Sequence, residues 1–279
     1  MEYEFLVVAS GTRLPSPGSM QDDHKLGGVG FFQTYQAGVQ RSEEIVIVGG
    51  GAVGVQMALD MKEVYPGKSV TLVHSRERVM NRFHKALDGI VRKRCEELGV
   101  QLVTGQRVVM PEQGFPTDGT PTEVQLTDGR KIPADLVILA TGQIPNTQLL
   151  QTLDSTTTDP STSIINPSNG FLRVRPTLQL LNPQYPHIFA LGDVADTGAP
   201  KAARPGMMQA DVMVQNVLSL IEGKEAEKEI EVGPAAIHLT LGLVSPLAIC
   251  FSDNMLIQSS GGRRRTSSSG IPSNQVANQ

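Results

Sequence analysis

The stretch Ile45-Val46-Ile47-Val48-Gly49-Gly50-Gly51-Ala52-Val53-Gly54 decides the fold. Four consecutive apolar residues read as a strand buried on both faces. Gly49, Gly51 and Gly54 then occupy the three glycine positions of G-x-G-x-x-G. A helix follows, with Val53, Met57, Met61 and Val64 at helical spacing and Pro66-Gly67 as its stop. Each glycine has a physical task. Gly49 permits the tight turn, Gly51 lets the backbone approach a pyrophosphate, and Gly54 lets helix and strand pack closely. The helix N-terminus offers unpaired N–H groups and the positive end of a dipole. Strand, turn and helix in this order are the context a dinucleotide requires, so the unit is expected to hold NAD(H) or NADP(H).

Working outward, Val70-Thr71-Leu72-Val73 is the next strand. The residue about 20 positions after the last glycine contacts the adenosine ribose. Here it is His74. An NAD-specific site would carry Asp or Glu there, accepting from the 2′-hydroxyl. The run His74-Ser75-Arg76-Glu77-Arg78 instead sets Arg76 and Arg78 within reach of a 2′-phosphate. NADPH, or both coenzymes, is expected ahead of strict NADH; loop arginines without a role are the competing reading.

The pattern extends in both directions. Phe5-Leu6-Val7-Val8-Ala9, ending in Ser10-Gly11, reads as a strand buried on both faces. A Gly/Pro/Ser-rich loop runs through Ser19, and a polar segment continues to about Glu44. Downstream, a helix is expected from about His84 to Leu98, with Leu87, Ile90, Val91, Cys95 and Leu98 on one face and Gly99 as its cap. Short strands and turns fill 100–133, with Asp118-Gly119 and Asp128-Gly129 as hairpin signals. Leu136 to Ala140, ending in Thr141-Gly142, is another buried strand. A loop reaches about Asn169, Ile188 to Leu191 is a strand ending in Gly192-Asp193, and a helix spans about Gly206 to Glu222. The Ser/Gly/Arg/Asn-rich tail from Gln258, including Arg263-Arg264-Arg265-Thr266-Ser267, is expected to be disordered.

An internal repeat organises these elements. Leu6-Val7-Val8-Ala9-Ser10-Gly11 and Val137-Ile138-Leu139-Ala140-Thr141-Gly142 are near copies. The second is the return strand of the unit that opens at Gly49. By the same spacing, the first would need a glycine loop upstream of Met1. The chain thus reads as a two-dinucleotide protein lacking the opening half of its first unit.

Ala140-Thr141-Gly142-Gln143-Ile144-Pro145-Asn146 and Ala190-Leu191-Gly192-Asp193 carry a family resemblance. The sequence resembles the two-dinucleotide flavoprotein reductases of the pyridine nucleotide-disulfide oxidoreductase superfamily. Val70 to Ser75, and Gly192-Asp193-Val194-Ala195-Asp196 with Pro200-Lys201, most resemble its apoptosis-inducing-factor-like, ferroptosis-suppressor-like NAD(P)H:quinone oxidoreductases. The match covers roughly Glu2 to Glu222. The resemblance implies FAD as a second cofactor, with Asp193 on its ribityl chain. The helix entered at Pro205-Gly206 would point at the flavin, where reduction places negative charge. Lys201 is read either as a flavin neighbour or as a surface lysine. Gln56 stands where the family usually has a glutamate near nicotinamide and flavin, so a neutral amide replaces a charge.

Composition narrows the classes. The 279 residues are 39% hydrophobic and 19% charged, with a formal net charge of −4. That describes an ordinary globular chain without a nucleic-acid face. Cys95 and Cys250 form no Cys-x-x-Cys pair and no zinc spacing, which argues against a disulfide reductase and against a metal site. The acidic start Met1-Glu2-Tyr3-Glu4 does not resemble a secretory leader. The apolar run Leu239 to Phe251 is too short and broken to span a bilayer. A cytoplasmic location is expected, with peripheral contact to an organelle membrane left open.

The expected architecture is α/β, a Rossmann-like NAD(P)-binding parallel sheet inserted in a partial FAD-binding α/β domain. Its segments would be an FAD-domain remnant (1–40), the NAD(P) domain (41–145), a second FAD part (146–232), a rudimentary C-terminal domain (233–257) and the tail (258–279). The expected function is an FAD-dependent oxidoreductase passing hydride from NAD(P)H to flavin, then to a quinone or other small acceptor. The alternatives are a non-catalytic NAD(P)-binding remnant, or an incomplete gene model of the full enzyme.

Overall fold

The computed structural model describes residues 3–20, 22–154, 161–233, 235–243, 247–251 and 255–257. Strands β1 (Leu6–Val8) and β2 (Thr12–Arg13) precede helix α1 (Lys25–Arg41). Then β3 (Glu44–Val48), α2 (Ala52–Val64), β4 (Ser69–Val73), α3 (Lys85–Leu98) and β5 (Gln101–Val103) alternate. A hairpin of β6 (Thr122–Gln125) and β7 (Lys131–Ala134) leads to β8 (Leu136–Leu139) and β9 (Ile144–Pro145). A short helix α4 (Gln151–Asp154), β10 (Ile188–Ala190) and the long α5 (Ala203–Ile221) follow. Antiparallel β11 (Ala236–Thr240), β12 (Leu247–Phe251) and β13 (Met255–Ile257) come last. The tail expected to be disordered lies outside the described residues.

Four strands form a parallel sheet in the order β5-β4-β3-β8, with Ile45 opposite both Val70 and Leu136. Their unbroken apolar runs reflect cover on both faces. Ile45, Ile47, Val70, Leu72, Leu136 and Ile138 share one cluster with Val55, Ala58 and Leu59 of α2 and Leu87, Val91 and Cys95 of α3. Alternate residues Val46, Val48, Val73 and Val137 share another with Val124 and Ala134 of the hairpin. Gly99 caps α3 in the left-handed conformation at φ +76°, as its position predicts.

Five expectations are corrected. The segment before Glu44 is no polar connection but the 17-residue helix α1. Its glycines and modest amphipathicity hide it, yet Phe31, Tyr35 and Val39, one turn apart, pack into the first cluster. The buried side of α2 is rotated from the Val53-Met57-Met61-Val64 stripe. Gly54, Val55, Ala58 and Leu59 are buried, while Val53 and Val64 are about half exposed. Close packing at Gly54 sets the helix rotation, and the apolar count does not. Asp118-Gly119 makes no hairpin; the Asp118 side chain accepts from Thr120 N and Oγ1 (3.1 and 2.7 Å), while its carbonyl takes Arg41 Nη2 (3.1 Å). Asp128-Gly129 does turn the β6–β7 hairpin. Helix α5 starts at Ala203, which places Pro205 inside its first turn, where a missing N–H costs nothing.

The fifth correction concerns β1. It pairs in parallel with β10, across more than 170 residues of intervening chain. The four-stranded unit is therefore inserted between two partners of a second unit. Val8, Ile188 and Ala190 are buried with Leu172 and Leu180. Val7, however, is 39% exposed, so β1 is covered on one face only.

The near-copy segments acquire a joint meaning here. Each ends at a positive-φ glycine, Gly11 at +64° and Gly142 at +110°. The strands that follow pair antiparallel, Thr12 with Pro145 and Arg13 with Ile144. Asn146 seals the crossing, donating from Nδ2 to Ser10 O (2.9 Å) and from its backbone N–H to Gly11 O (3.0 Å). Both passages between the units thus run side by side.

Candidate dinucleotide site

The turn at the end of β3 is fastened on every side but one. Gly49 sits at φ +121°, a conformation that favours glycine, and its N–H donates to Val73 O at 2.8 Å. A Cβ on Gly49 would strike the Ala140 carbonyl of the return strand, and one on Gly54 would strike the Gly49 carbonyl. These two glycines press turn, helix and neighbouring strand together. Gly51 differs: no atom lies within 4 Å of where its Cβ would stand. It is the N-cap of α2 and provides no side-chain cap. The first N–H groups of the helix therefore lack helical partners beside open space.

Gly50 is bound through both its backbone groups. Its N–H donates to His74 Nδ1 at 3.0 Å, and its carbonyl accepts from Met80 N at 2.8 Å. A Cβ on Gly50 would come within 2.7 Å of Val79 Cγ1 and 2.8 Å of His74 Cγ. A larger residue at the middle of the motif, which varies freely in general, would here have to displace Val79 or His74. His74 lies at the end of β4, and its ring faces the turn. Burial lowers its pKa below the usual imidazole value; the Arg78 carbonyl opposes this, Arg76 adds to it and Asp88 opposes it.

Arg76 and Arg78 are exposed, and neither makes an ion pair among the described residues. The loop that carries them is nevertheless held. Gly105 N donates to Arg76 O (3.0 Å), and Gln106 N to His74 O (3.1 Å). Asp88 accepts from Val79 N (2.8 Å) and from Arg92 Nε (2.8 Å), while Arg92 Nη2 donates to Glu77 O (2.6 Å). Asp88 and Arg92 were not singled out from the sequence. Their i, i+4 spacing on α3 was visible, but not the loop they hold.

The other sequence candidates fall into two groups. Gln56, on the second turn of α2, donates from Nε2 to Thr240 Oγ1 of β11 at 2.8 Å. Gly142 has open space at its Cβ position, and the next residue, Gln143, donates from Nε2 to Asp193 Oδ2 at 3.0 Å. Asp193 lies in a single 3-10 turn, Gly192–Val194. That turn is pinned by Gln209 of α5, which is 4% exposed and accepts from Gly192 N at 2.7 Å. Gln209 was also missed, because one glutamine on a helix carries no signal before its partner is known. Lys201 donates to Ala195 O and stands 4.4 Å from the Phe171 ring centroid. Burial lowers its pKa, against the attraction of Asp196 and Asp193. The contacts thus join Gly50 with His74 and Gln143 with Asp193, whereas Gln56 is tied to the C-terminal sheet.

A glycine turn at the carboxyl end of a parallel sheet, inserted in a second parallel unit, defines a two-unit Rossmann-type α/β protein. The chain belongs to the pyridine nucleotide-disulphide oxidoreductase family, whose pattern matches residues 1–216. It is 36% identical over 257 residues to Fe-regulated protein 8 of Mycosarcoma maydis, covering 87% of this chain and 60% of that one. It is 31% identical over 230 residues to human ferroptosis suppressor protein 1, covering 80% of this chain and 58% of that one. The chain therefore spans about three-fifths of the length of these relatives. Among solved structures, an NAD-dependent persulfide reductase from A. fulgidus superposes with a TM-score of 0.62 at 20% identity, over 91% of this chain and 45% of that one. Among the described residues, no helix is long and apolar enough to cross a membrane.

Proposed function

We propose that this chain supplies the pyridine-nucleotide site of an FAD-dependent NAD(P)H oxidoreductase. The acceptor in this reading is a quinone or another small molecule. One observation carries it: Gly49 and Gly54 are locked by contact while Gly51 opens onto free space at an uncapped helix N-terminus. That is the geometry a pyrophosphate needs, with N–H donors and a positive dipole end facing it. Arg76 and Arg78 then stand where an adenosine 2′-phosphate would be read, and Gln56 stands at the nicotinamide side. The quinone rests on the resemblance to the ferroptosis-suppressor-like enzymes, and a cytoplasmic location belongs to the same reading.

Family members bind FAD together with NAD(P)H. The residues described here fit the ribityl side of that group. Asp193 and Gln143 are partly exposed polar groups held in one arrangement by their mutual hydrogen bond. When bound, FAD supplies the two-electron acceptor, and the chain supplies positioning and electrostatics. Gly142, at φ +110° and with open space where a Cβ would stand, leaves room beside that pair.

Gly51→Val tests the coenzyme site directly. Gly51 has φ −82° and no neighbour at its Cβ position, so the variant should fold with unchanged circular dichroism and Tm. Its side chain should nevertheless fill the pyrophosphate space and abolish NADPH and NADH binding in calorimetric titrations. Binding equal to that of the parent chain would overturn the reading. A flavin absorption band in the purified protein, or after adding FAD, tests the second cofactor.

A further inference from the structure

We infer that His74 positions the coenzyme loop: its neutral imidazole accepts the Gly50 N–H and ties the phosphate-binding turn to the arginine-bearing loop. This deepens the proposed coenzyme site and rests on it. The position after β4 is where a residue reading the ribose was expected. The observed geometry gives His74 a different task. Nδ1 lies 3.0 Å from Gly50 N, and the ring carbon Cγ lies against Gly50 so closely that a Cβ there could not fit. The His74 backbone joins the edge of the sheet, with its N–H on Val103 O (2.8 Å) and its carbonyl taking Gln106 N (3.1 Å). Met80 N closes the ring of contacts on Gly50 O (2.8 Å). One side chain therefore sits between the turn that would hold the pyrophosphate and the 75–80 loop that would hold the ribose phosphate.

The proton position follows from the hydrogen bond. An Nδ1 that accepts must be unprotonated, so the proton resides on Nε2. Nε2 is buried and has no partner of normal hydrogen-bond geometry. Adding a proton to Nδ1 would set two donors against each other and release Gly50. The charged groups around the ring divide. Arg76 opposes protonation and Asp88 favours it, while the Arg78 carbonyl favours the proton and burial disfavours it. Asp88 is already engaged by Arg92 and Val79 N, and Glu77 is turned toward Gly105. The glycine turn and the 103–106 segment bring no ionisable side chain to the ring. The balance keeps the imidazole neutral at pH 7, with the accepting form lost as pH falls through its lowered pKa.

The test compares two variants on the full chain. Asn places Oδ1 on Cγ where histidine has Nδ1, so His74→Asn retains an acceptor that does not titrate. His74→Leu fills the space without an acceptor. The probe is NAD+, which is stable in acid and has no 2′-phosphate to titrate, in calorimetric titrations from pH 8 down to the acid limit of the folded protein. At pH 8, His74→Asn should bind like the parent, and His74→Leu should bind about threefold to tenfold more weakly, the range of one net hydrogen bond. On acidification the parent should weaken toward the His74→Leu value, while His74→Asn should stay flat. Imidazole 15N shifts of the free protein should show the Nε2–H tautomer at pH 8. If the parent binds neither NAD+ nor, at pH 8, NADPH, the proposed coenzyme site falls, and this inference with it. If the parent binds but His74→Leu matches it at pH 8, or His74→Asn weakens in parallel with the parent as pH falls, the positioning role alone is overturned.

Discussion

At the residue scale, glycine and arginine carry the candidate site in opposite ways. Gly49 and Gly54 act by what they leave out, since any side chain would collide with the Ala140 or Gly49 carbonyl. Arg76 acts, in the proposed reading, by what it adds. It is exposed and unpaired by any ion pair among the described residues, so a phosphate would not have to displace a protein partner. Arg76→Ala should weaken NADPH by about 1–3 kcal/mol, as for one charge-assisted hydrogen bond, and leave NADH nearly unaffected. Parallel titrations with the two coenzymes decide this, and equal losses would refute the assignment. Cys95 shows the contrasting case of a residue type that promises chemistry and sits in the core. It is 2% exposed, and burial pushes its thiol up to about 11, which keeps it unreactive at neutral pH.

At the element scale, α1 is the instructive case. Its sequence includes Gly27, Gly28, Gly30 and Gly38, each costing about 1 kcal/mol relative to Ala in a helix interior. Local preference therefore argues against a helix, and only burial of Phe31, Tyr35 and Val39 on the central cluster outweighs it. Gly38 has a reason of its own, because a Cβ there would stand 2.7 Å from the Thr117 carbonyl. Gly38→Ala gains about 1 kcal/mol of helix propensity but drives a methyl group into rigid backbone, at a cost of about 1–3 kcal/mol. The variant should therefore lower the urea midpoint; a higher midpoint would show that the 117–118 turn yields freely. Helices α2 and α3 were legible because a stop signal and a capping glycine bounded them. The rotation of α2 was not, since its face is set by the contact at Gly54, and counting apolar residues cannot see a contact.

At the scale of the whole molecule, two seams among the described residues help hold the inserted unit to its neighbours. One is the β2–β9 crossing sealed by Asn146. The other joins the C-terminal sheet to α2 and α3. Arg94 donates from Nε to Leu241 O (3.0 Å) and pairs with Glu63, whose other oxygen accepts from Leu243 N at 2.7 Å. Gln56 meets Thr240 on the same seam. Glu63 and Arg94 side chains are 13% and 21% exposed, so removing one strands the other in a poorly hydrated place. Arg94→Leu should cost about 2 kcal/mol, lower the Tm, and hasten proteolysis in the largely exposed 222–229 segment that follows α5. An unchanged Tm and digestion pattern would mean that the apolar contacts of Ile237, Leu239 and Leu241 alone hold the sheet. The Gln56–Thr240 bond also ties the residue proposed for the nicotinamide side to the C-terminal sheet.

Local chemistry in the chain was enough to establish the strand–glycine–helix unit and the parallel character of its sheet. Those features depend on neighbours within a few residues, where steric limits on φ and the alternation of apolar side chains act directly. The near-copy strands likewise announced a second unit. Packing across the molecule decided the rest. It chose helix for a glycine-rich segment, turned α2 about its axis, left one face of β1 open and set Gln209 beneath the Asp193 turn. It also aimed His74 at Gly50, where the linear spacing had aimed it at a ribose. Each of these depends on groups far apart in sequence, and a hydrogen bond or a steric contact has no trace in either partner until the chain has brought them together.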